Sequence, residues 1–180
     1  MDTRKMMKAG WMLAILSAAT LVACQTTPPD EPAKATAALK PTKGNKTYGE
    51  VTFEQVGNKV RVIAQVVGLK PNQEHGFHVH EAGDCSSGDG MSAKGHFNPQ
   101  GKPHGHYGTM ERHAGDMPNL KADAKGRAHL NVELDTITVT PGPNSVIGRG
   151  LIVHAQPDDY KSQPVGNAGA RLACAVIQAG

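Results

Sequence analysis

Gly76-Phe77-His78-Val79-His80 holds the first residues in the chain whose types and spacing suggest chemistry. Side chains alternate faces along a strand, so His78 and His80 share one face about 7 Å apart while Val79 turns to the other. Two imidazoles on a rigid strand make half of a transition-metal site. Taken alone, H-x-H also describes two histidines facing solvent, so the residues further along the chain decide. His96, His104, His113 and Asp116 lie downstream, and His154 closes the apolar run Leu151-Ile152-Val153-His154. All nine histidines fall between His75 and His154. That clustering argues for metal.

The ligand set divides by chemistry. His96, His104, His113 and Asp116 offer three imidazoles and a carboxylate, a tetrahedral set suited to zinc. His78, His80 and His154 offer imidazole only, which suits copper in a flatter arrangement. Seven ligands are too many for one ion and one too few for two separate four-coordinate sites. One imidazolate shared through both ring nitrogens closes the deficit. His75, His106 and His129 are assigned to no metal, although His106 competes with His104 across Gly105.

Strands must position these groups. Apolar residues alternate more often than they follow a helical period. The alternation predicts strands at Tyr48–Val56 and Lys59–Val67, joined by a Gly57-Asn58 turn. Further strands are expected at His75–Glu81, Arg127–Leu134, Thr136–Val139, Arg149–His154 and Arg171–Ile177, with a short one within Asn119–Asp123. Two long stretches rich in Gly, Pro and polar residues, Ala82–Pro118 and Ala155–Ala170, lie between them, a length usual for functional loops. The expected fold is all-β, an eight-stranded antiparallel Greek-key sandwich or barrel with two long functional loops.

The N-terminus reads as an address. Arg4, Lys5 and Lys8 precede the short apolar run Trp11–Ala23, which ends in Leu21-Val22-Ala23-Cys24. A basic segment followed by a run too short to span a bilayer is an export signal. Its ending resembles a bacterial lipobox, with Cys24 lipidated as the first mature residue. Residues 1–23 are then the signal peptide and 24–46 a lipidated cysteine with a flexible linker, since Gln25–Lys46 is rich in Pro, Thr, Ala and Lys. Residues 47–180 form the domain. The whole chain has 19 basic and 16 acidic residues, net +3. The signal carries three bases against one acid, so the remainder is close to +1, with no basic run that would suit nucleic acid. Cys85 and Cys174 remain beside Cys24. In an exported chain such a pair reads as a disulfide, two free buried thiols being the alternative.

The segments G-F-H-V-H-E, G-H-F-N-P, E-R-H-A-G-D, I-V-H-A and G-N-A-G-A-R-L-A-C, in this order and spacing, resemble copper/zinc superoxide dismutase from about Thr47 to the C-terminus. The resemblance implies copper on His78, His80, His96 and His154, and zinc on His96, His104, His113 and Asp116, with His96 as the bridge. It implies that Asp158 links a copper histidine to a zinc histidine, that Cys85 and Cys174 are bonded, and that Arg171 stands at the mouth of the copper channel. The implied reaction turns superoxide into oxygen and hydrogen peroxide by alternate reduction and reoxidation of copper, with His96 releasing copper and taking a proton as the metal is reduced. The expected setting is the bacterial cell envelope, with a periplasm-facing protein held to the membrane by its lipid and protecting the envelope from extracytoplasmic superoxide. Monomer and homodimer are both open. The second loop is shorter than in eukaryotic relatives and has Lys161 as its only lysine. Lys94 and Lys102 of the first loop are therefore alternative cations for drawing in substrate.

Overall fold

The structure is a computed structural model that describes Met1 and residues 31–180. The expected signal peptide, Cys24 and the start of the expected linker lie outside the described residues. Ten strands follow in order: β1 (Lys34–Pro41), β2 (Tyr48–Val56), β3 (Lys59–Val67), β4 (Glu74–His75), β5 (Phe77–His80), β6 (Leu120–Lys121), β7 (Ala128–Leu134), β8 (Gly150–His154), β9 (Arg171–Val176) and β10 (Gln178–Ala179). Among the described residues the only helical segment is a 3-10 turn at Met91–Ala93.

The main sheet runs β5-β8-β9-β1-β2-β3-β7, with β10 also on β1, and all its pairs are antiparallel. Neighbours distant in sequence (β5 on β8, β9 on β1) give the crossing connections expected of a Greek key. β1 joins the two halves of the curled sheet: Lys34–Leu39 pair with β2, while Lys40 and Pro41 pair with β9. The core lies inside the curl. Ala35, Ala37 and Leu39 of β1 point there with Phe53, Val62, Ala64, Phe77, Val79, Leu151, Val153, Ala173 and Ile177, all buried.

Three expectations are corrected. The flexible linker does not reach Lys46, because Lys34–Pro41 is a strand at the centre of the sheet. Its inward residues are two alanines and one leucine. Their alternation is regular, but their apolar bulk is too small to stand out among Lys, Thr and Pro. Thr136–Val139 is not a strand either. Thr138 only bridges Ser145 within a loop, its N–H donating to Asn144 O at 2.9 Å and its carbonyl accepting from Val146 N at 2.9 Å. The expected strand His75–Glu81 is interrupted at Gly76, where Gly76 and His154 exchange partners across the break (Gly76 N to Gln156 O and His154 N to Gly76 O, both 2.8 Å). A Cβ at Gly76 would stand 2.8 Å from Ala168 Cβ and 3.1 Å from His78 Cε1, so no larger residue fits there.

β5 is short and every residue of it is buried. Phe77 and Val79 face the core, and His78 and His80 face outward under the two loops. The first loop runs back along the free edge of β5. Phe97 N donates to Val79 O (2.9 Å), Val79 N to Gly115 O (3.0 Å) and Glu81 N to Gly95 O (2.9 Å). These bonds bring the segments bearing His96, His113 and Asp116 over the strand that bears His78 and His80. Cys85 and Cys174 are bonded, tying the start of the same loop to β9. On chain entropy alone, closing a loop of this length stabilises by roughly 4–5 kcal/mol.

Candidate metal centre

Two groups of buried ligand-bearing residues meet on the outer face of β5. One is His78, His80, His96 and His154; the other is His96, His104, His113 and Asp116. In each group one ligand atom from every residue lies within 4.8 Å of the others. His96 belongs to both.

In the first group three imidazoles sit on strands, His78 and His80 on β5 and His154 on β8. The Nδ1–H of His80 donates to Lys94 O at 2.8 Å, and that of His154 donates to Gly169 O at 3.2 Å. These carbonyls fix the tautomers, leaving a lone pair on each Nε2. The two Nε2 atoms face each other at 3.3 Å. Two acceptors at that distance repel unless a cation stands beside both. Burial, followed by the neighbouring His96, His154 and His78, holds His80 well below the usual histidine range, and burial followed by His78 does the same to His154. Both rings are therefore neutral ligands at physiological pH.

The second group stands on the first loop and is organised by carboxylates. Asp116 Oδ1 lies 2.8 Å from His96 Nδ1, and Asp116 Oδ2 accepts the backbone N–H of His113 (2.9 Å) and Gly105 (3.1 Å). The Nδ1 atoms of His104 and His113 stand 3.1 and 3.5 Å from this carboxylate, yet neither is in hydrogen-bond alignment with it. Ligands that converge on one ion bear this relation to one another; a donor and its acceptor do not. Burial works against charge on His104, but the nearby Asp116 carboxylate and the hydrogen-bonded Asp158 outweigh it and raise its pKa to about 9. Asp116 is held far below the carboxylate range: burial opposes ionisation, and the close His104 and His113 rings together with the bonded His96 overcome it.

Asp158 joins the groups, with Oδ2 2.8 Å from His78 Nε2 and Oδ1 2.9 Å from His104 Nε2. His78 therefore offers Nδ1 inward and His104 offers Nδ1. Both are among the buried nitrogens without a hydrogen-bond partner, as are His96 Nε2 and His113 Nδ1. An unpaired buried nitrogen costs about 1–3 kcal/mol, and four in one cluster fit a pair of metal ions that would satisfy them. His96 Nε2 lacks a partner while Nδ1 turns to Asp116, so the ring points one nitrogen at each group. Its ring stacks on that of His78 at 4.0 Å.

Arg171 opens β9 at the rim of the first group. Its Nη1 donates to Gly90 O (2.6 Å) and Nη2 to Lys94 O (2.5 Å), the carbonyl that also accepts from His80. The remaining expectations sort cleanly. His129 is exposed on β7, and His106 lies outside both groups, packed against Tyr107 and Tyr160 at 4.3 and 4.7 Å. His75 is buried and gives its Nδ1–H to His154 O at 2.9 Å. Lys102 is spent on Met110 O (2.7 Å), while Lys94 Nζ lies 3.6 Å from Glu81. Asn119, Tyr160 and Gln163, which fasten the second loop, are absent from the expectations, because a single amide or phenol in a loop carries no spacing signal.

A curled antiparallel sheet with two buried histidine-rich ligand groups sharing one imidazole defines a two-metal β-sandwich protein. Residues 47–177 match the family model for copper/zinc superoxide dismutase. A copper/zinc superoxide dismutase of Aquifex aeolicus is 42% identical over 149 residues, covering 81% of this chain and 86% of its own. That of Schizosaccharomyces pombe is 44% identical over 141 residues, covering 74% and 90%. A solved structure described as the clock protein EA4 superposes with a TM-score of 0.75 at 40% identity, covering 84% of this chain and 98% of that one. The chain belongs to the copper/zinc superoxide dismutase family. It is an enzyme of superoxide dismutation, with copper and zinc as its cofactors.

Proposed function

We propose that His78, His80, His96 and His154 hold copper, that His96, His104, His113 and Asp116 hold zinc, and that the protein clears superoxide outside the cytoplasm from a lipid-anchored position on the bacterial envelope. The observation that carries the metal assignment is the His96 ring. Its Nδ1 faces a carboxylate-containing group suited to zinc, and its partnerless Nε2 faces an all-imidazole group suited to copper.

When bound, copper supplies one-electron redox chemistry and zinc a fixed, redox-silent charge. The rest is the work of the chain. Arg171 holds the anion: its guanidinium is half-buried and anchored by two carbonyls, and it stays charged at any working pH. The shared tie of Arg171 and His80 to Lys94 O fixes that cation relative to the redox site. Asp158 holds the His78 and His104 rings, so their ligating nitrogens need no reorganisation during turnover. His96 Nε2 is the place where a proton can be kept between the two half-reactions and returned as peroxide forms. Burial, then His78, keeps its pKa near 3, so without metal the ring is neutral at physiological pH. Two superoxide anions and two protons thereby become oxygen and hydrogen peroxide.

Residues 1–23 support the location: a basic start, a short apolar run and a small residue before Cys24 are the features of a lipoprotein signal. Several acyl chains on Cys24 would hold the protein firmly, each buried CH₂ contributing about 0.8 kcal/mol. Superoxide decay with protein loaded with copper and zinc, compared with zinc alone, tests the enzyme. Fast, salt-sensitive decay only with copper is expected, and metal binding without acceleration overturns it. Fatty-acid labelling of the protein in a bacterial host tests the anchor, and a label that survives Cys24→Ala rejects it.

A further inference from the structure

The second loop does more to the loop-borne group than present Asp158. Gln163 makes two reciprocal bonds with the backbone of His104, 59 positions away: its Oε1 accepts the His104 N–H at 2.8 Å and its Nε2 donates to the His104 C=O at 2.8 Å. Only one orientation of the amide satisfies both, so the side chain stands in for a neighbouring strand. Asp158, five positions earlier, holds the far end of the same residue through His104 Nε2. His104 lies in no strand. Its ring and its backbone are therefore both set by one short loop.

That loop is in turn fastened to the body of the protein. Asp158 N donates to Asn119 Oδ1 (2.9 Å) and Asn119 Nδ2 to Asp158 O (3.0 Å), a second reciprocal amide pair. Tyr160 accepts the Asn119 N–H at 2.8 Å, and its ring packs on His106 at 4.7 Å.

We propose that Gln163 is a positioning residue for the zinc group: by clasping the His104 backbone it aims Nδ1 at the centre shared with Asp116, so that the second loop governs how tightly that metal is retained. The inference rests on the assignment of zinc to His96, His104, His113 and Asp116. A clasp of neutral hydrogen bonds does this without adding charge beside the copper rim, which suits a loop with a single lysine.

The test uses the full chain loaded with copper and zinc, following transfer of zinc to a colorimetric chelator, and a parallel sample with Co(II) in place of zinc. Gln163→Ala is expected to release zinc roughly tenfold faster, the lower end of what loss of an outer partner does to a metal site, and to shift the Co(II) ligand-field bands. Gln163→Glu, nearly identical in shape and so a safeguard against misfolding of the alanine variant, is expected to behave alike because a carboxylate cannot donate to the His104 carbonyl. Asn167→Gly removes bonds to Asp159 and Ser162 inside the loop without touching His104, and is expected to release zinc at the wild-type rate. Wild-type release and bands in both Gln163 variants overturn the clasp, and equally fast release from Asn167→Gly reduces it to general loosening. A wild-type chain that takes up Co(II) without tetrahedral bands instead overturns the zinc assignment beneath it.

Discussion

The two ligand groups share His96, yet they are built by opposite means. His78, His80 and His154 stand on paired strands, and two of the three are tied to backbone carbonyls and driven neutral by burial. His104, His113 and Asp116 stand on a loop without a strand of its own and are drawn together by carboxylate charge, with His104 raised to about 9. The sheet makes the proposed copper group before any metal arrives, because its geometry is that of a ladder whose core face is already packed. The proposed zinc group lacks such a frame. In the metal-free chain a proton on His104, between Asp116 and Asp158, takes the electrostatic part of the ion. A rigid site suits a metal that must change oxidation state with little rearrangement, and a charge-gathered site suits one whose binding also completes the loop.

Removing Asp116 should separate the groups most sharply. In Asp116→Ala the N–H groups of Gly105 and His113 and the Nδ1 of His96 lose their acceptor. Zinc affinity should fall at least a hundredfold, and the metal-free protein should lose about 3–5 kcal/mol, by the cost of unpaired buried groups. Copper uptake by the strand-borne histidines should persist, weakened by less than tenfold. Calorimetric titration with each metal measures both. Equal loss of copper and zinc would mean that the sheet does not hold its group independently.

Gly166 should have the next largest effect, because it touches what the groups have in common. It adopts φ +67°, and a Cβ there would stand 1.9 Å from Asp158 Oδ1 and 2.7 Å from His104 Nε2. Gly166→Ala must displace the carboxylate that links the two groups. A loss of about 2–4 kcal/mol is expected from strain and displacement together, with both metals bound more weakly. Urea unfolding and metal titration should therefore move together here, in contrast to Asp116→Ala.

pH should act on the groups in opposite directions in the metal-free protein. His80, His96 and His154 bind protons more weakly folded than unfolded. Stability therefore falls as pH drops below about 6.5, and continues to fall to about 3, the folded value for His96. His104 binds its proton more tightly folded, so its contribution is complete below about 6.5 and is lost as pH rises through about 9. The alkaline loss should be on the order of 2 kcal/mol. Denaturant titrations from pH 4 to 10 should show both arms, and His104→Gln should remove the alkaline arm alone. An unchanged alkaline arm in that variant would remove the charge-gathered half of the comparison.

The same division explains what could be read from the sequence. β2 and β3 follow from the alternation of Val51 with Phe53 and of Val60, Val62, Ala64 and Val66 on either side of Gly57-Asn58, and both strands stand where the pattern puts them. The seven ligand-type residues are legible because six are clustered histidines and the seventh, Asp116, follows His113 by three positions, and the structure gathers them into two groups. β1 was missed because its buried face is Ala35, Ala37 and Leu39, which alternate without much hydrophobic weight. Thr136–Val139 reads as a strand because four β-branched residues, polar and apolar in alternation, look the same in a strand and in a covered loop. Gln163 and Asn119 were illegible for a different reason: their partners are backbone atoms of residues 59 and 39 positions away, and no local pattern encodes such a meeting.

Lys94 is where the loop is strained in the service of the strand-borne group, and it should give the smallest effect. Its backbone stands at φ 62°, ψ −147°, a region that glycine enters freely and a residue with a Cβ does not. The conformation turns its carbonyl so that it accepts from His80 and Arg171 together. Lys94→Gly should keep that carbonyl in place and relieve the strain, against which the freer unfolded chain sets a cost of about 0.4–1 kcal/mol. The net gain should be about 1 kcal/mol, visible as a rise of a few degrees in Tm, with copper affinity unchanged. Lys94→Ala, which loses the ammonium but keeps the Cβ, should show no such rise. If alanine and glycine stabilise alike, the effect belongs to the side chain's charge and its pairing with Glu81, and the backbone at this junction bears no strain.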